Sequence, residues 1–197
     1  MSIFWSSVNP DPKRQYRFVL LIPTPADTKK TAIPEFTIKT VTKPKVSISS
    51  VPHMFLDHEF KYPGRVTWDP VSVTLVDPGG ATQDMAFALM ERLGLSGYKY
   101  PTTLDASKIS LSKENATKST GQVQIQQLDA EGKIVEQWTL KNAFVTSLDF
   151  GGLDYSADDL SEITVEFTYD WAELNGGSAN PTNTGFGFPG APPNLNE

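Results

Sequence analysis

The stretch SEITVEFTYDWAEL, residues 161–174, constrains the fold most, because apolar and polar side chains alternate along it almost without interruption. The apolar side chains fall on one side of an extended chain and the polar ones on the other: Ile163, Val165, Phe167, Tyr169 and Trp171 against Thr164, Glu166, Thr168 and Asp170. Alternation with a period of two is typical of a β-strand with one buried face. The sequence therefore predicts a last strand whose polar face, which carries two acids, points away from the core.

Three further segments also predict strands. Residues 14–23 and 66–77 alternate in a similar way, and the second segment is interrupted at Pro70, which cannot donate a ladder hydrogen bond. Residues 121–140 predict a hairpin whose turn lies at residues 129–133. The chain is therefore expected to be mainly β.

One amphipathic helix is predicted over residues 81–94, where apolar side chains recur at helical spacing and Thr82 can cap the N-terminus. Residues 96–120 show no sustained period and predict a long connection. Residues 175–197 are rich in Gly, Pro and Asn and predict a flexible tail. The sequence therefore predicts one domain over residues 1–174, a mainly β barrel or sandwich with one flanking α-helix, followed by the tail.

Composition argues against several classes of function. The chain has no cysteine, which excludes disulfides and thiolate metal sites. Its two histidines, His53 and His58, are expected on opposite faces of an extended segment, and no third ligand is evident. No nucleophile motif and no Gly-rich phosphate loop follows a strand. We therefore predict that the chain is not an enzyme and holds no metal or cofactor.

The sequence also lacks membrane and export signals. No apolar run approaches the roughly 18 residues of a membrane span, and the first residues lack the pattern of a signal peptide. We therefore expect a soluble intracellular product without a membrane span.

Charge is distributed unevenly along the chain, whose net charge is −6. Residues 1–65 carry ten Lys or Arg against five Asp or Glu, whereas residues 66–197 carry seven against eighteen. Solvated faces tolerate such an imbalance by chance. The alternative is a self-complementary molecule, in which the basic part of one copy meets the acidic part of another.

Two segments resemble a known family. The segment KYPGRVTWDPVSVTLVDP (61–78), which precedes the helix, and KNAFVTSLDFGGLDYSADDLSEITVEFTYDWAEL (141–174) resemble the tail tube protein of contractile-tailed bacteriophages. Type VI secretion tube proteins are similar too. The resemblance covers roughly residues 14–174 and rests on the order of the elements and on eight matching positions: Val73, Leu75, Phe144, Leu148, Val165, Phe167, Tyr169 and Trp171.

The resemblance implies a structural virion protein. Six copies would form a ring around a pore, and stacked rings would form a tube through which DNA passes at ejection without specific binding. The implied partners are further copies of the chain and the tail sheath, baseplate and tape-measure proteins, and the implied location is the virion tail, after assembly in the host cytoplasm. Three alternatives stay open: a baseplate tube initiator, a tail terminator, and a non-polymerising β-sandwich module that displays loop 96–120 to a ligand.

The resemblance also suggests which residues line the pore. A pore wall of acids and amides would repel or ignore DNA, a polyanion. The pore-facing candidates lie opposite the apolar faces of their strands, although the outer surface of the tube is an equal alternative for them: Gln124, Gln126, Glu166 and Asp170.

Residues 46–62 are predicted to leave the barrel as an arm or hairpin that docks on an adjacent copy. They alternate weakly and contain prolines, so they suit a central strand poorly. The predicted apolar anchors are Met54, Phe55 and Phe60, and the lysines predicted to face the acidic half of the neighbouring copy are Lys43, Lys45 and Lys61. The alternative is that the two phenylalanines complete the core of their own subunit.

Overall fold

Ten β-strands, two α-helices and one 3-10 turn form the part of the chain that the computed structural model describes, residues 12–23, 33–79, 84–100 and 110–176. The strands are β1 Phe18–Leu21, β2 Ile38–Val41, β3 Lys45–Phe55, β4 His58–Asp69, β5 Val71–Val76, β6 Gln124–Leu128, β7 Ile134–Lys141, β8 Phe144–Asp149, β9 Glu162–Thr168 and β10 Trp171–Gly176. The helices are α1 Met85–Leu95 and α2 Lys113–Thr120, and the 3-10 turn is Glu35–Thr37.

Eight of these strands form two antiparallel sheets that share one core. The first sheet has the order β1-β6-β7-β10 and the second the order β2-β5-β9-β8. Alternate side chains of both sheets are fully buried in one cluster, as the strand pattern requires. Cluster members from the sheets include Leu20, Ile125, Leu140, Val71, Val73, Leu75, Ile163, Val165 and Phe167. The predicted mainly β sandwich is therefore confirmed.

Residues 161–174, predicted as one strand, form parts of two strands. The predicted alternation holds from Ile163 to Tyr169, which are buried, but Trp171 is exposed. The chain bends at Asp170, whose backbone N–H donates to Lys141 O at 3.0 Å, and β10 then pairs with β7 in the other sheet. The bend therefore carries the chain from one layer of the sandwich to the other, which a pattern of period two cannot reveal.

Helix α1 covers the core through buried Met85, Ala88 and Leu89. Its N-cap is Asp84, whose carboxylate accepts from the backbone N–H of Phe87 at 2.9 Å. The prediction of Thr82 as the cap was wrong in position, because the structure begins the helix at Met85, and Thr82 itself lies outside the described residues.

The predicted connection 96–120 contains a helix, α2, that the sequence pattern did not indicate. Ser112 caps it by accepting from the N–H of Asn115 at 3.2 Å. Its composition, KENATKST, is polar on every side, so it carries no amphipathic signal. Arg92 of α1 is buried against it and donates to Ser119 O in its last turn at 3.5 Å and to Pro23 O at 2.9 Å. This arginine therefore joins both helices to the end of β1.

Strands β3 and β4 form a separate two-stranded sheet. Strand β4 ends at Asp69 and β5 begins at Val71, so the predicted interruption at Pro70 is confirmed. At the other end of the domain, β10 runs to Gly176, two residues beyond the predicted boundary, and residues 177–197 of the predicted tail lie outside the described residues.

Candidate assembly interface

The β3–β4 hairpin is the candidate interface, because both of its faces expose apolar side chains. The strands have 11 and 12 residues and are joined by a two-residue turn at Leu56 and Asp57. The predicted anchors Met54, Phe55 and Phe60 are 64%, 61% and 44% exposed. The alternative that the two phenylalanines complete the core of their own subunit is therefore not what the structure shows.

A β-bulge divides the hairpin into a base and a tip. Ile48 pairs with Val66, but Ser50 pairs with Pro63, so β4 has one extra residue around Gly64 and Arg65. The Ser49 hydroxyl accepts from the backbone N–H of Arg65 at 2.9 Å. A Cβ at Gly64 would lie 2.3 Å from that hydroxyl oxygen, so a larger residue there would displace the Ser49 hydroxyl and its hydrogen bond to Arg65.

The apolar side chains change face at this bulge. On the base side they share one face, the base patch: Val46, Ile48, Val66 and Trp68. On the tip side they share the opposite face, the tip patch: Val51, His53, Phe55, His58, Phe60 and Tyr62. Met54 lies with Pro52, Glu59 and Lys61 on the face opposite the tip patch. The three predicted anchors therefore do not point the same way.

The two histidines lie together in the tip patch. His53 packs edge-on against Tyr62 at 6.4 Å between ring centres, and His58 against Phe60 at 5.0 Å. The expectation that they point to opposite faces was wrong, because the turn at Leu56 and Asp57 reverses the chain between them. No group of three potential metal ligands occurs among the described residues.

The base of the hairpin is fixed to the sandwich. The Trp68 ring lies 6.0 Å from the ring of buried Tyr169, whose hydroxyl donates to Asp69 O at 2.8 Å. Burial, with the nearby Asp69 carboxylate, raises the pKa of Tyr169 to about 12. Lys45 pairs with Asp69 at 2.8 Å across the first residues of the hairpin. The arm therefore leaves the domain in a defined direction.

A polar cluster around Glu136 of β7 holds the segment that leads into the hairpin. Lys43 donates to Glu136 at 2.7 Å and to Gln127 at 2.6 Å, and Lys13 and the Trp138 indole also donate to Glu136. Burial alone would raise the pKa of Glu136, but the hydrogen bonds from these donors outweigh it and bring the pKa to about 2. Glu136 is therefore ionised and fully partnered.

The lysines predicted to face a neighbouring copy are paired within their own chain. Lys43 contacts Glu136 and Lys45 contacts Asp69, while Lys61 lies 3.9 Å from Glu59. The charge asymmetry along the sequence is therefore partly balanced inside one subunit. Contacts of these three lysines with another copy stay a prediction.

The structure does not gather the four pore candidates on one surface. Gln124 and Gln126 lie on the outer face of the first sheet, and Glu166 is exposed on the outer face of the second. Asp170 is exposed at the bend between β9 and β10, where Lys113 donates to both its oxygens at 2.8 and 2.7 Å and Asn142 donates at 2.7 Å. The Lys113 and Asn142 donors lower the pKa of Asp170.

A cleft of about 540 Å³ separates the helices from β8. Leu93, Leu111 and Phe144 line it, with Lys113 and Asp170 among its polar residues. Buried Arg92 also lines it, and its Nε has no hydrogen-bond partner. Burial lowers the pKa of Arg92 to about 10, which leaves it cationic at neutral pH.

Comparison with solved structures identifies the fold. Over 89% of this chain and 99% of the other, the tube-terminating cap of the anti-feeding prophage superposes with a TM-score of 0.59 at 16% identity. The described part has a contractile-tube fold. A chain of the sheath–tube complex of the extracellular contractile injection system PVC matches over 84% of this chain and 92% of its own length, with a TM-score of 0.57 at 18% identity. A chain of the anti-feeding prophage baseplate, solved with 6-fold symmetry, matches over 85% of this chain and 98% of its own length, with a TM-score of 0.55 at 15% identity.

These structural neighbours of the contractile-tube fold are cap, tube and baseplate components and not enzymes. Protein-family models give no match to the sequence, and neither do curated proteins compared by sequence. None of the described helices is long and apolar enough to span a membrane.

Sequence reasoning missed six exposed hairpin residues that belong with the predicted anchors: Val46, Ile48, Val51, Leu56, Tyr62 and Val66. Part of the signal was present in β3, where Val46 and Ile48 occupy even positions and Val51 and Phe55 occupy odd positions. The sequence alone does not show which side chains of the two strands share a face, because it does not reveal the partner strand or the bulge in that strand.

Proposed function

We propose that this chain is a structural subunit of the tube of a contractile injection apparatus, in which copies form rings and rings stack around a channel. The observation that carries the proposal is the exposed β3–β4 hairpin on a contractile-tube fold. Two-stranded sheets are marginally stable alone in water, and large exposed apolar patches mark sites of association. Contact with other copies would cover both patches of the hairpin.

Our more specific proposal is a phage-like tail tube with six subunits per ring that conducts DNA without binding it. The resemblance of residues 61–78 and 141–174 to tail tube proteins supports this reading, and the 6-fold baseplate neighbour supports the ring size. Sheath, baseplate and tape-measure proteins would be its partners. The particle would be assembled in the host cytoplasm and would carry the chain in its tail.

A tube terminator is the second candidate, because the prophage cap superposes about as well as the sheath–tube chain, with TM-scores of 0.59 and 0.57. The two roles differ in one property. A tube subunit stacks on itself without limit, whereas a terminator stops at a ring. Negative-stain electron microscopy of the purified chain at high concentration separates them: hollow rods indicate the tube subunit, single rings the terminator, and discrete monomers the non-polymerising binding module.

The hairpin's part in assembly is tested by the double variant Phe55→Ala with Phe60→Ala. Because both rings are exposed, we expect a subunit that melts like the parent but forms fewer or no rods. Buried aromatic contacts are worth about 2 kcal/mol or more at an interface hot spot. The control is Tyr155→Ala, which removes a still more exposed ring from the β8–β9 loop. Normal assembly of the double variant would remove the hairpin from the mechanism.

The pore wall is a separate proposal, and only one of two surfaces can supply it. Either Gln124 and Gln126 or Glu166 faces the channel, since they lie on outer faces of different sheets. The chain has no cysteine, so Gln126→Cys and Glu166→Cys each introduce a single reporter. In assembled rods, the channel-facing thiol should react with a small maleimide but not with a maleimide on a polymer too wide for the channel. Equal reaction of both thiols with the wide reagent would refute both assignments.

A further inference from the structure

We infer that the two apolar patches of the β3–β4 hairpin contact two different neighbouring copies of this chain, one on each face. The inference rests on the proposed tube function and adds to it how one arm can join subunits in two directions. It follows from the change of face at the bulge between Ser49 and Gly64. The spacing of Ile48 and Val51 turns the apolar side chains of β3 to the other face, and the bulge in β4 lets the apolar side chains of that strand follow.

The two patches are separated in direction and in distance. The base patch begins at Trp68, which packs against Tyr169 of its own sandwich, and continues outward through the exposed pair Ile48 and Val66. The tip patch points the other way and extends toward the turn. A strand of 11 residues spans roughly 35 Å, at about 3.3 Å per residue. A single globular partner on one side of the hairpin therefore cannot cover both patches.

The composition of the hairpin favours protein over nucleic acid or a charged membrane as the occupant. Residues 45–69 carry three Lys or Arg and three Asp or Glu, so the arm has no net charge from these residues. Aromatic and aliphatic side chains without excess charge are typical of the buried centre of protein interfaces. The base patch also continues a contact that the subunit's own sandwich already makes through Tyr169.

The position of each patch indicates which neighbour it meets. A copy that covers the base patch must lie beside the sandwich, so we place it in the same ring. A copy that covers the tip patch lies at the far end of the arm and on the opposite face, so we place it in the adjacent ring. Loss of the base contact should therefore abolish rings, and loss of the tip contact should abolish stacking alone.

Two cross-strand double variants test this difference. Ile48→Ser with Val66→Ser changes the base patch, and Val51→Ser with Tyr62→Ser changes the tip patch, only three positions away along β3 but on the other face. We expect the first to give monomers and the second to give rings that do not form rods, by mass photometry and electron microscopy. Ser47→Asn with Thr67→Asn, on the polar face at the base, should assemble like the parent.

A second measurement avoids loss of folding as an explanation. Ile48→Cys and Val51→Cys introduce single thiols into the otherwise unchanged, cysteine-free chain. In isolated rings the thiol at position 48 should be protected from maleimide at least tenfold relative to the monomer, while the thiol at position 51 should react at the monomer rate. In rods both should be protected.

The outcomes separate this inference from the proposed function. If the parent chain forms neither rings nor rods, the tube function itself fails. If the parent assembles but both serine variants stop at the same stage, or both thiols become protected together, the hairpin meets a single neighbour and the inference is overturned.

Discussion

Leu56, the first residue of the hairpin turn, combines a strained backbone with an exposed side chain. Its φ is +52° and 85% of its side chain is exposed. A left-handed backbone costs a residue other than glycine about 1–2 kcal/mol, and asparagine tolerates it better. We expect Leu56→Asn to raise the free energy of unfolding of the subunit by up to about 1 kcal/mol while it weakens assembly. Chemical denaturation and electron microscopy measure the two effects.

The control for that change is Leu153→Asn in the β8–β9 loop. Leu153 is 95% exposed and is not among the described residues with positive φ. The same substitution there should leave stability unchanged. An equal increase in the free energy of unfolding of both variants would show that the polarity of asparagine, and not relief of backbone strain, is responsible.

Glu136 gives the fold a defined dependence on pH. Its pKa in the folded subunit is about 2, below the value of about 4.3 for an unfolded glutamate. A carboxylate with a depressed pKa contributes stability that is present above the unfolded pKa and is lost as pH falls through the folded pKa. We therefore expect Glu136→Gln to lower the melting temperature at about pH 7, and the difference from the parent to shrink between about pH 4 and about pH 2.

Glu59→Gln serves as the comparison for Glu136, because Glu59 is exposed and its lysine partner lies 3.9 Å away. An exposed pair of this kind contributes little, so the variant should melt like the parent across the whole pH range. A difference for Glu136→Gln that stays constant down to about pH 2 would contradict the ionic role of Glu136.

At the scale of elements, α2 depends on its cap because it lacks an apolar face. The Ser112 hydroxyl accepts from the N–H of Asn115, and only Ser119 and Thr120 of the helix are buried. Loss of an N-cap costs about 1 kcal/mol. We expect Ser112→Ala to reduce the free energy of unfolding by about that amount, and to speed amide hydrogen exchange in residues 113–120 first.

Ser110→Ala is the matched control for the cap, since Ser110 is exposed and lies two residues before Ser112. Its exchange profile should match the parent. If Ser112→Ala instead destabilises β8 and α1 equally with α2, the helix is not a separate element in unfolding but part of one cooperative unit.

At the scale of the whole molecule, β10, the last strand of the described residues, ends its pairing with β7 at Gly176. Residues 177–197 lack the apolar period that would offset the entropy of ordering them. We expect a chain truncated after Gly176 to keep its free energy of unfolding within about 1 kcal/mol of the parent. Truncation after Ala172, which removes most of β10, is the contrasting variant and should unfold the domain. Insoluble protein from the first truncation would refute the independence of the tail.

Much of the fold follows from local patterns. Alternation identified the strands at both ends of the chain, proline located the break before β5, and apolar spacing located α1, because these signals depend on neighbours in sequence. Helix α2 could not be found in this way, since its stability comes from a cap and from Arg92 of another element. The exposed hairpin was anticipated from its prolines and weak alternation, but its faces were not.

The sequence by itself determined which segments are extended and which side chains within a strand share a face. Only the tertiary structure decided which strands pair, because pairing depends on residues far apart in the chain. It split the last predicted strand at Asp170 between two sheets, separated Gln124 from Glu166, and paired Lys43 with Glu136 of its own subunit. It also placed the bulge at Gly64, where one extra residue in β4 reverses the side chains that face a partner. A period of two shows the spacing of side chains along a strand, but the register with a second strand decides what they contact.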